Sequence, residues 1–285
     1  MPLFRHIFLL VLLITPLVVH GACVITDDAG QQIQLRSPAT RLVVLAPDLV
    51  ENVFAIGAGS RIVGVVSGSD YPAAARTIQS VGSYAGIDLE RIVALHPDLI
   101  IAWKYAFPRQ IAALKQFGIP VYVAAPRKLE DVPRTMRNLG CLTAQSRTAE
   151  AAASQFERDM HGLRAETRKS IKVFFQIDRY ALMTINHDSW INQVIELCGG
   201  KNSFANAKVI APEVSRESLL MENPDVIFNV GLDDGWKATW QAWPEMTAVK
   251  RQHLYTIEPD LISRAGPRLV RGAQQVCRDM AKVSV

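Results

Sequence analysis

Residues 90–100 read ERIVALHPDLI, and residues 217–227 read ESLLMENPDVI. The two segments align without a gap and match at the glutamate, the Pro-Asp pair and the final isoleucine, which indicates an internal repeat. In each copy a capping residue, Asp88 or Ser215, precedes a short helix with apolar periodicity. A proline ends the helix, and an apolar run typical of a buried strand follows. Each copy therefore predicts a helix-turn-strand unit.

The repeat extends towards the N-terminal side of each segment. Residues 41–47 and 172–178 are both short apolar strand candidates, and each leads towards a helix that ends in glycine. Gly57 and Gly199 stand at these two ends and suit left-handed C-terminal caps. Because strands alternate with helical patterns, mainly parallel sheets are favoured. We therefore expect an α/β fold with two lobes of similar plan.

Residues 146–169 separate the two halves and have the pattern of one long helix. Apolar residues recur at helical spacing among charged ones, namely Ala149, Ala152, Ala153, Phe156, Met160 and Leu163. A helix of about 23 residues would be roughly 35 Å long, enough to join two lobes as a stiff rod. We expect a first lobe over residues 23–145, this inter-lobe helix, and a second lobe over residues 170–285.

Residues 1–22 have the form of a secretory signal peptide. Arg5 precedes an apolar stretch at residues 7–19, and the small residues Gly21 and Ala22 follow it,. The stretch is shorter than the roughly 20 residues that a membrane-spanning helix needs. We expect a cleaved signal and a periplasmic protein, with a retained membrane anchor as the alternative.

Four cysteines, Cys23, Cys141, Cys198 and Cys277, lie beyond the expected cleavage point. An even number of cysteines in an oxidising compartment favours two disulfides. Three pairings are open from the sequence, and buried free thiols are the alternative. The spacing is not that of a zinc site, which would place paired ligands about two to four residues apart.

Charge and motifs exclude several classes of function. The formal net charge is +4 and the basic residues are dispersed, so no basic stripe indicates nucleic-acid binding. The glycines at residues 57–59 and 199–200 complete no phosphate-binding fingerprint. There is no nucleophile elbow, and no histidine pair has helical metal-ligand spacing,. An exported, two-lobed chain without catalytic motifs favours a solute receptor over an enzyme.

Sequence blocks in both lobes carry a resemblance to a known family, and they lie at residues 69–72, 88–95, 97–98, 101–103, 192–194, 198–200, 214–217, 264–265, 267–268 and 273–275. In these blocks the chain resembles the periplasmic binding proteins of ABC importers for metal chelates, and most closely those that bind cobalamin. The resemblance implies two Rossmann-like lobes joined by one long backbone helix, with a ligand cleft between them. It implies a monomer with no resident cofactor or metal.

The resemblance also implies a set of ligand-binding residues. In the cobalamin receptors aromatic side chains largely enclose the corrin, because rings supply apolar area with a rigid shape. Tyr84 and Trp103 match that set in the first lobe, and Asp260 and Arg264 match it on a second-lobe loop. Trp103 could instead belong to the core, and Asp260 and Arg264 could form an ordinary surface ion pair.

Two matching positions differ from the cobalamin receptors. Gly68 and Ala211 stand where the resemblance implies a tyrosine and a tryptophan. A pocket widened in this way could hold cobalamin or a related corrinoid in another pose. It could also hold haem or a siderophore-type chelate. An exported enzyme acting on a tetrapyrrole is the alternative from another class.

The remaining implied residues concern the transport partner and the disulfides. The resemblance makes Glu90 and Glu217 docking contacts, one in each lobe, with a two-fold ABC permease and its ATPase subunits. The alternative is that each carboxylate only offsets the dipole of the helix it begins. The resemblance further implies the disulfide Cys198–Cys277, which leaves Cys23 to pair with Cys141.

Overall fold

The structure is a computed structural model that describes residues 23–164, 171–178 and 181–283. The expected signal peptide at residues 1–22 lies outside these described residues. Each half of the described chain contains one four-stranded parallel sheet. The predicted α/β fold with two lobes is therefore confirmed.

The first lobe has a small antiparallel ribbon followed by the parallel sheet. In chain order its elements are β1 (Val24–Thr26), β2 (Gln32–Gln34), β3 (Leu42–Val44), α1 (Pro47–Ala55), β4 (Ile62–Val65), β5 (Gly82–Ser83), β6 (Gly86–Ile87), α2 (Leu89–Ala94), β7 (Leu99–Trp103), α3 (Pro108–Gln116), β8 (Val121–Ala124) and α4 (Asp131–Leu142). The sheet order is β4-β3-β7-β8. Helix α5 (Ser146–Gly162) then leads to the second lobe.

The second lobe has the same sheet order as the first. Its elements are β9 (Ile171–Gln176), α6 (Trp190–Leu197), β10 (Gly200–Asn202), α7 (Arg216–Glu222), β11 (Val226–Val230), α8 (Lys237–Trp240), α9 (Thr247–Lys250), β12 (Leu254–Ile257), α10 (Pro259–Ile262) and α11 (Leu269–Ala281). The order β10-β9-β11-β12 again places the second strand, then the first, the third and the fourth. In each lobe the second strand lies on one side of the first, and the third and fourth lie on the other. The strand order therefore reverses between β3 and β7 and between β9 and β11, which is where ligand crevices form in such sheets.

The two copies of the repeated segment have matching local structure. The Asp88 side chain accepts a hydrogen bond from the backbone N–H three residues on at 3.0 Å, and the Ser215 hydroxyl does the same at 3.1 Å. After each helix a residue with left-handed backbone precedes the proline, His96 with φ of 46° and Asn223 with φ of 44°. The predicted caps and helix ends are confirmed.

The aspartate after each proline fixes the start of the sheet. The Asp98 carboxylate accepts the backbone N–H of Arg41 at 3.0 Å, and the Asp225 carboxylate accepts that of Lys172 at 2.8 Å. In return the Arg41 and Lys172 side chains donate to carbonyls at the C-terminal ends of α2 and α7, where cations are favoured by the helix dipole. The register of β7 on β3 and of β11 on β9 is thereby set in the same way twice.

Helix α5 is shorter than predicted. It begins at Ser146, as expected, but ends at Gly162 with Leu163 as its C-cap instead of continuing to Lys169. Residues 165–169 of the expected helix lie outside the described residues. Its 17 residues span about 25 Å,. One face packs on α4 and on α11, and its buried side chains are Ala149, Ala153, Phe156 and Met160.

Two disulfides are present, and both predicted pairings are confirmed. Cys23–Cys141 links the start of the first lobe to α4, and Cys198–Cys277 links the end of α6 to α11. One continuous apolar core includes residues of both sheets and of α5.

Candidate functional site

The first-lobe part of the candidate site lies where the strand order reverses, between β3 and β7. Trp103 is the last residue of β7, and α1 begins at Pro47 just after β3, the neighbouring strand. The Trp103 indole N–H donates to the Asp48 carboxylate at 3.1 Å. The indole is partly buried, so it is held by a hydrogen bond and still reaches the edge of the sheet.

Asp48 is a buried carboxyl group in the first turn of α1. Desolvation by burial raises its pKa from 3.8 to about 7, and the nearby Glu51 charge adds to the rise. Hydrogen bonds from the backbone and from Trp103 oppose it. Asp48 therefore titrates close to neutral pH.

The second-lobe part of the site is a pair of arginines after α10. The Arg264 guanidinium contacts three carboxylates, Glu51 at 3.0 Å, Asp70 at 3.0 Å and Asp260 at 2.8 Å. Glu51 and Asp70 belong to the first lobe, so Arg264 joins the two lobes. Its side chain is 16% exposed, and the interpretation of Asp260 and Arg264 as an ordinary surface ion pair was wrong.

Glu51 is the centre of these ion pairs and its side chain is fully buried. Its two oxygens also accept from Arg268, from Nε at 2.9 Å and from Nη2 at 2.7 Å, a bidentate geometry that strengthens the pair. The Arg268 guanidinium lies 4.2 Å from the centre of the Tyr71 ring. Burial opposes a low pKa at Asp70, but the hydrogen bond from Arg264 lowers it overall.

Tyr84 lies at the tip of the β5-β6 hairpin and is 80% exposed. Desolvation by the surrounding protein raises its pKa, and the charge of Asp48 raises it further, while Arg264 lowers it. At the base of the hairpin the Gly82 carbonyl accepts the Ser67 backbone N–H at 2.8 Å. The next residue, Gly68, accepts from Arg264 through its carbonyl, so the hairpin adjoins the loop that contacts the second lobe. Gly82 allows the tight hairpin, since a side chain there would overlap the Gly86 carbonyl.

The four residues predicted to bind ligand thus come together at the boundary between the lobes. Sequence reasoning missed their partners Asp48, Glu51 and Arg268. A signal existed for the first two, because Asp48 and Glu51 are charged residues in a helix that begins directly after a buried strand. Which distant arginine they meet is not visible in the sequence.

Gly68 lies in a loop that contacts Arg264, and Ala211 lies in a loop of the second lobe. Gly68 has φ of 86°, and a Cβ there would meet only Pro47 at 4.0 Å. Its carbonyl accepts from Arg264 at 3.2 Å. Ala211 follows two exposed aliphatic residues, Val209 and Ile210. Aliphatic side chains therefore stand beside the position where the resemblance implied a ring.

Glu90 and Glu217 are exposed and occupy the same position, the second residue of α2 and of α7. The pKa of Glu217 is lowered, first by its own backbone N–H and then by the Ser215 hydroxyl. Both carboxylates lie at helix starts and outside the cluster around Arg264.

Comparison with known proteins decides the family. The family model described as "Periplasmic binding protein" matches residues 42–261. The chain belongs to the periplasmic binding protein family. This binding protein is 33% identical over 252 residues to the vitamin B12-binding protein of Vibrio parahaemolyticus, covering 86% of this chain and 91% of the relative. It is 35% identical over 249 residues to the vitamin B12-binding protein of Pectobacterium carotovorum, with coverages of 86% and 89%.

The crystal structure of the periplasmic vitamin B12 binding protein BtuF of Vibrio cholerae has the same fold. It superposes with a TM-score of 0.78 at 32% identity, covering 86% of this chain and 97% of that chain. The family is one of binding proteins, not of enzymes, and it implies partnership with an ABC transporter. In the described residues no helix has the length and apolar character needed to cross a membrane. No group of three or more metal-ligating side chains occurs in that part of the chain.

Proposed function

We propose that this binding protein is exported to the periplasm, binds cobalamin or a related corrinoid between its lobes, and delivers it to a two-fold ABC permease with its ATPase subunits. The observation that carries the proposal is that Trp103 and the Tyr84 hairpin are hydrogen-bonded to α1 and to the loop at Gly68. These two first-lobe segments both contact Arg264, which pairs with Asp260. Relatives about one-third identical over most of both chains are named vitamin B12-binding proteins.

The chemistry of these side chains suits a corrinoid, a flat apolar macrocycle with amide groups at its edge. The Trp103 N–H is already bonded to Asp48, so its ring face is the part available to the ligand. Tyr84 is exposed at a hairpin tip and adds a second ring. The Asp260 carboxylate can still accept hydrogen bonds from peripheral amides. The terminal Arg264 nitrogens already have protein partners, so Arg264 holds Asp260 in place. Val209 and Ile210 add aliphatic surface near Ala211.

Calorimetry of the purified protein with cyanocobalamin, cobinamide and haemin tests the ligand. We expect stoichiometric binding of cyanocobalamin and its release chemically unchanged, as checked by mass spectrometry. Tyr84→Ala should weaken binding about tenfold, as expected for loss of an aromatic anchor. Phe117→Ala is the matched control, because Phe117 is also an exposed ring but lies at the end of α3. Haemin binding without any corrinoid signal would contradict the proposed ligand.

The docking role of Glu90 and Glu217 is part of the proposal. Their equivalent positions in two lobes of the same fold support it, because a receptor with approximate two-fold symmetry presents equivalent charges to a two-fold partner.

A further inference from the structure

A cavity of about 410 Å³ opens at the carboxyl ends of β7 and β8, beside Trp103. It is lined by Asp28, Lys104, Tyr105, Ala125, Arg127, Lys128, Glu130, Asp131 and Arg134. Its volume lies within the range of about 300 to 1,000 Å³ typical of ligand pockets. Four of the lining residues are cations and three are carboxylates, so the partners of each charge decide what the cavity can bind.

Two of the three carboxylates already have strong partners. Asp28 and Asp131 both pair with Arg134, at 2.7 and 3.0 Å. The other Asp131 oxygen accepts the backbone N–H groups of Arg127 and Lys128, at 2.7 and 2.9 Å. These aspartates therefore hold the loop and neutralise Arg134.

Lys104 and Arg127 are the two cations left without a close carboxylate in the described residues. Lys104 Nζ reaches only the Asp28 carbonyl, at 3.4 Å, and Arg127 donates to the Tyr105 hydroxyl at 3.0 Å. Neither cation forms an ion pair within 4.0 Å in this described part of the chain. Both side chains are exposed, and two positive charges therefore face the cavity.

Two nearby carboxylates could reduce this positive charge. Glu130 pairs with Lys128 at 3.7 Å, but both side chains are more than half exposed, so the pair is weak. Asp188 of the second lobe acts on Arg127 only at longer range. Neither carboxylate therefore neutralises Lys104 or Arg127, and both cations remain available for a ligand.

The position of the cavity connects it to the ligand cleft. Lys104 directly follows Trp103 in the chain. The backbone N–H of Leu129, on the other wall, donates to Gln193 of the second lobe at 2.7 Å, so this wall lies at the lobe boundary. The repeat places Gly231 at the position equivalent to Lys104, and the fold itself therefore does not require a cation there.

We propose that Lys104 and Arg127 bind an anionic oxygen group at the edge of the transported chelate. This inference rests on the proposed function and names a further part of the ligand that is recognised. A complete cobalamin has one phosphodiester, cobinamide has none, and haemin has carboxylates. Hydrogen bonds between cationic donors and such anions are about twice as strong as neutral ones.

The test compares Lys104→Gln/Arg127→Gln with wild type by calorimetry against cyanocobalamin and cobinamide. The double variant should bind cyanocobalamin about tenfold more weakly and cobinamide equally well. High salt should reduce the difference between the two ligands in wild type. Arg147→Gln/Lys250→Gln removes the same charge at exposed positions outside the cavity and should leave both affinities unchanged.

Equal effects of the double variant on the two corrinoids, or no effect on either, would overturn the inference while leaving cobalamin binding intact. If wild type binds haemin and no corrinoid, the proposed ligand fails, and haemin is then compared with its dimethyl ester, which lacks free carboxylates. Selective weakening of haemin by the double variant would support the cation site. Equal binding of haemin and its ester would refute it.

Discussion

Asp48 is a buried residue beside Trp103 whose charge changes near neutral pH. Its pKa is raised from 3.8 to about 7, first by burial. When folding raises the pKa of an acid, the stability linked to that acid is fully present at pH values below the pKa of the unfolded chain. This stability is lost as the pH rises through the pKa of the folded protein. Between about pH 4 and pH 7, burial of Asp48 therefore becomes progressively more costly.

We predict that Asp48→Asn raises the free energy of unfolding relative to wild type, and by more at pH 8 than at pH 5. At about 1.4 kcal/mol for each pH unit between the two pKa values, the full effect is on the order of 4 kcal/mol. The amide oxygen can still accept from Trp103. Denaturant unfolding at the two pH values measures it.

Asp70→Asn is the control for this pH dependence. Burial opposes a low pKa at Asp70, but Arg264 lowers it below 3.8 overall, so its contribution is lost only as pH falls below that value. The difference in free energy of unfolding between Asp70→Asn and wild type should be the same at pH 5 and pH 8. If the difference between Asp48→Asn and wild type is also the same at both pH values, Asp48 does not titrate in this range.

At the scale of elements, α2 and α7 are the same helix built twice, each with a side-chain cap and an exposed glutamate in its first turn. We predict that Glu90→Ala/Glu217→Ala leaves ligand affinity unchanged and reduces uptake by vesicles that contain the importer. Charges at the rim of an interface mainly affect association rate and salt dependence. Uptake should therefore fall most with limiting receptor.

The matched control is Glu150→Ala/Glu245→Ala, which removes one exposed carboxylate from α5 and one from the second lobe. It should transport normally. If both double variants transport like wild type and only thermal stability falls in the first, the two glutamates serve their helices alone.

At the scale of the whole molecule, the buried Glu51 joins the lobes through Arg264 and Arg268. We predict that Glu51→Ala lowers the free energy of unfolding by about 3 to 5 kcal/mol, because it leaves two largely buried arginines without their shared carboxylate. The control Glu157→Ala removes one carboxylate that pairs with Arg137 at the surface. It should lower the free energy of unfolding by less than about 1 kcal/mol. Similar losses for the two variants would contradict a structural role of Glu51 between the lobes.

The sequence by itself determined the two-lobed plan. Apolar periodicity, the caps Asp88 and Ser215, and the prolines that follow are local signals, because each depends on neighbours within a few residues. The position of Trp103 at the end of a strand followed from the same local pattern. The four ligand-site candidates came from resemblance to a family, and in the structure the segments that carry them adjoin one another.

Only the tertiary structure decided what surrounds those candidates. Arg264 and Glu51 are 213 residues apart, and no local pattern specifies which charges meet across such a separation. The same holds for the buried state of Asp48, for the end of α5 at Gly162, and for the partners that leave Lys104 and Arg127 available. Charge partners and burial are set by packing between lobes, since desolvation and Coulomb energies depend on distances in space.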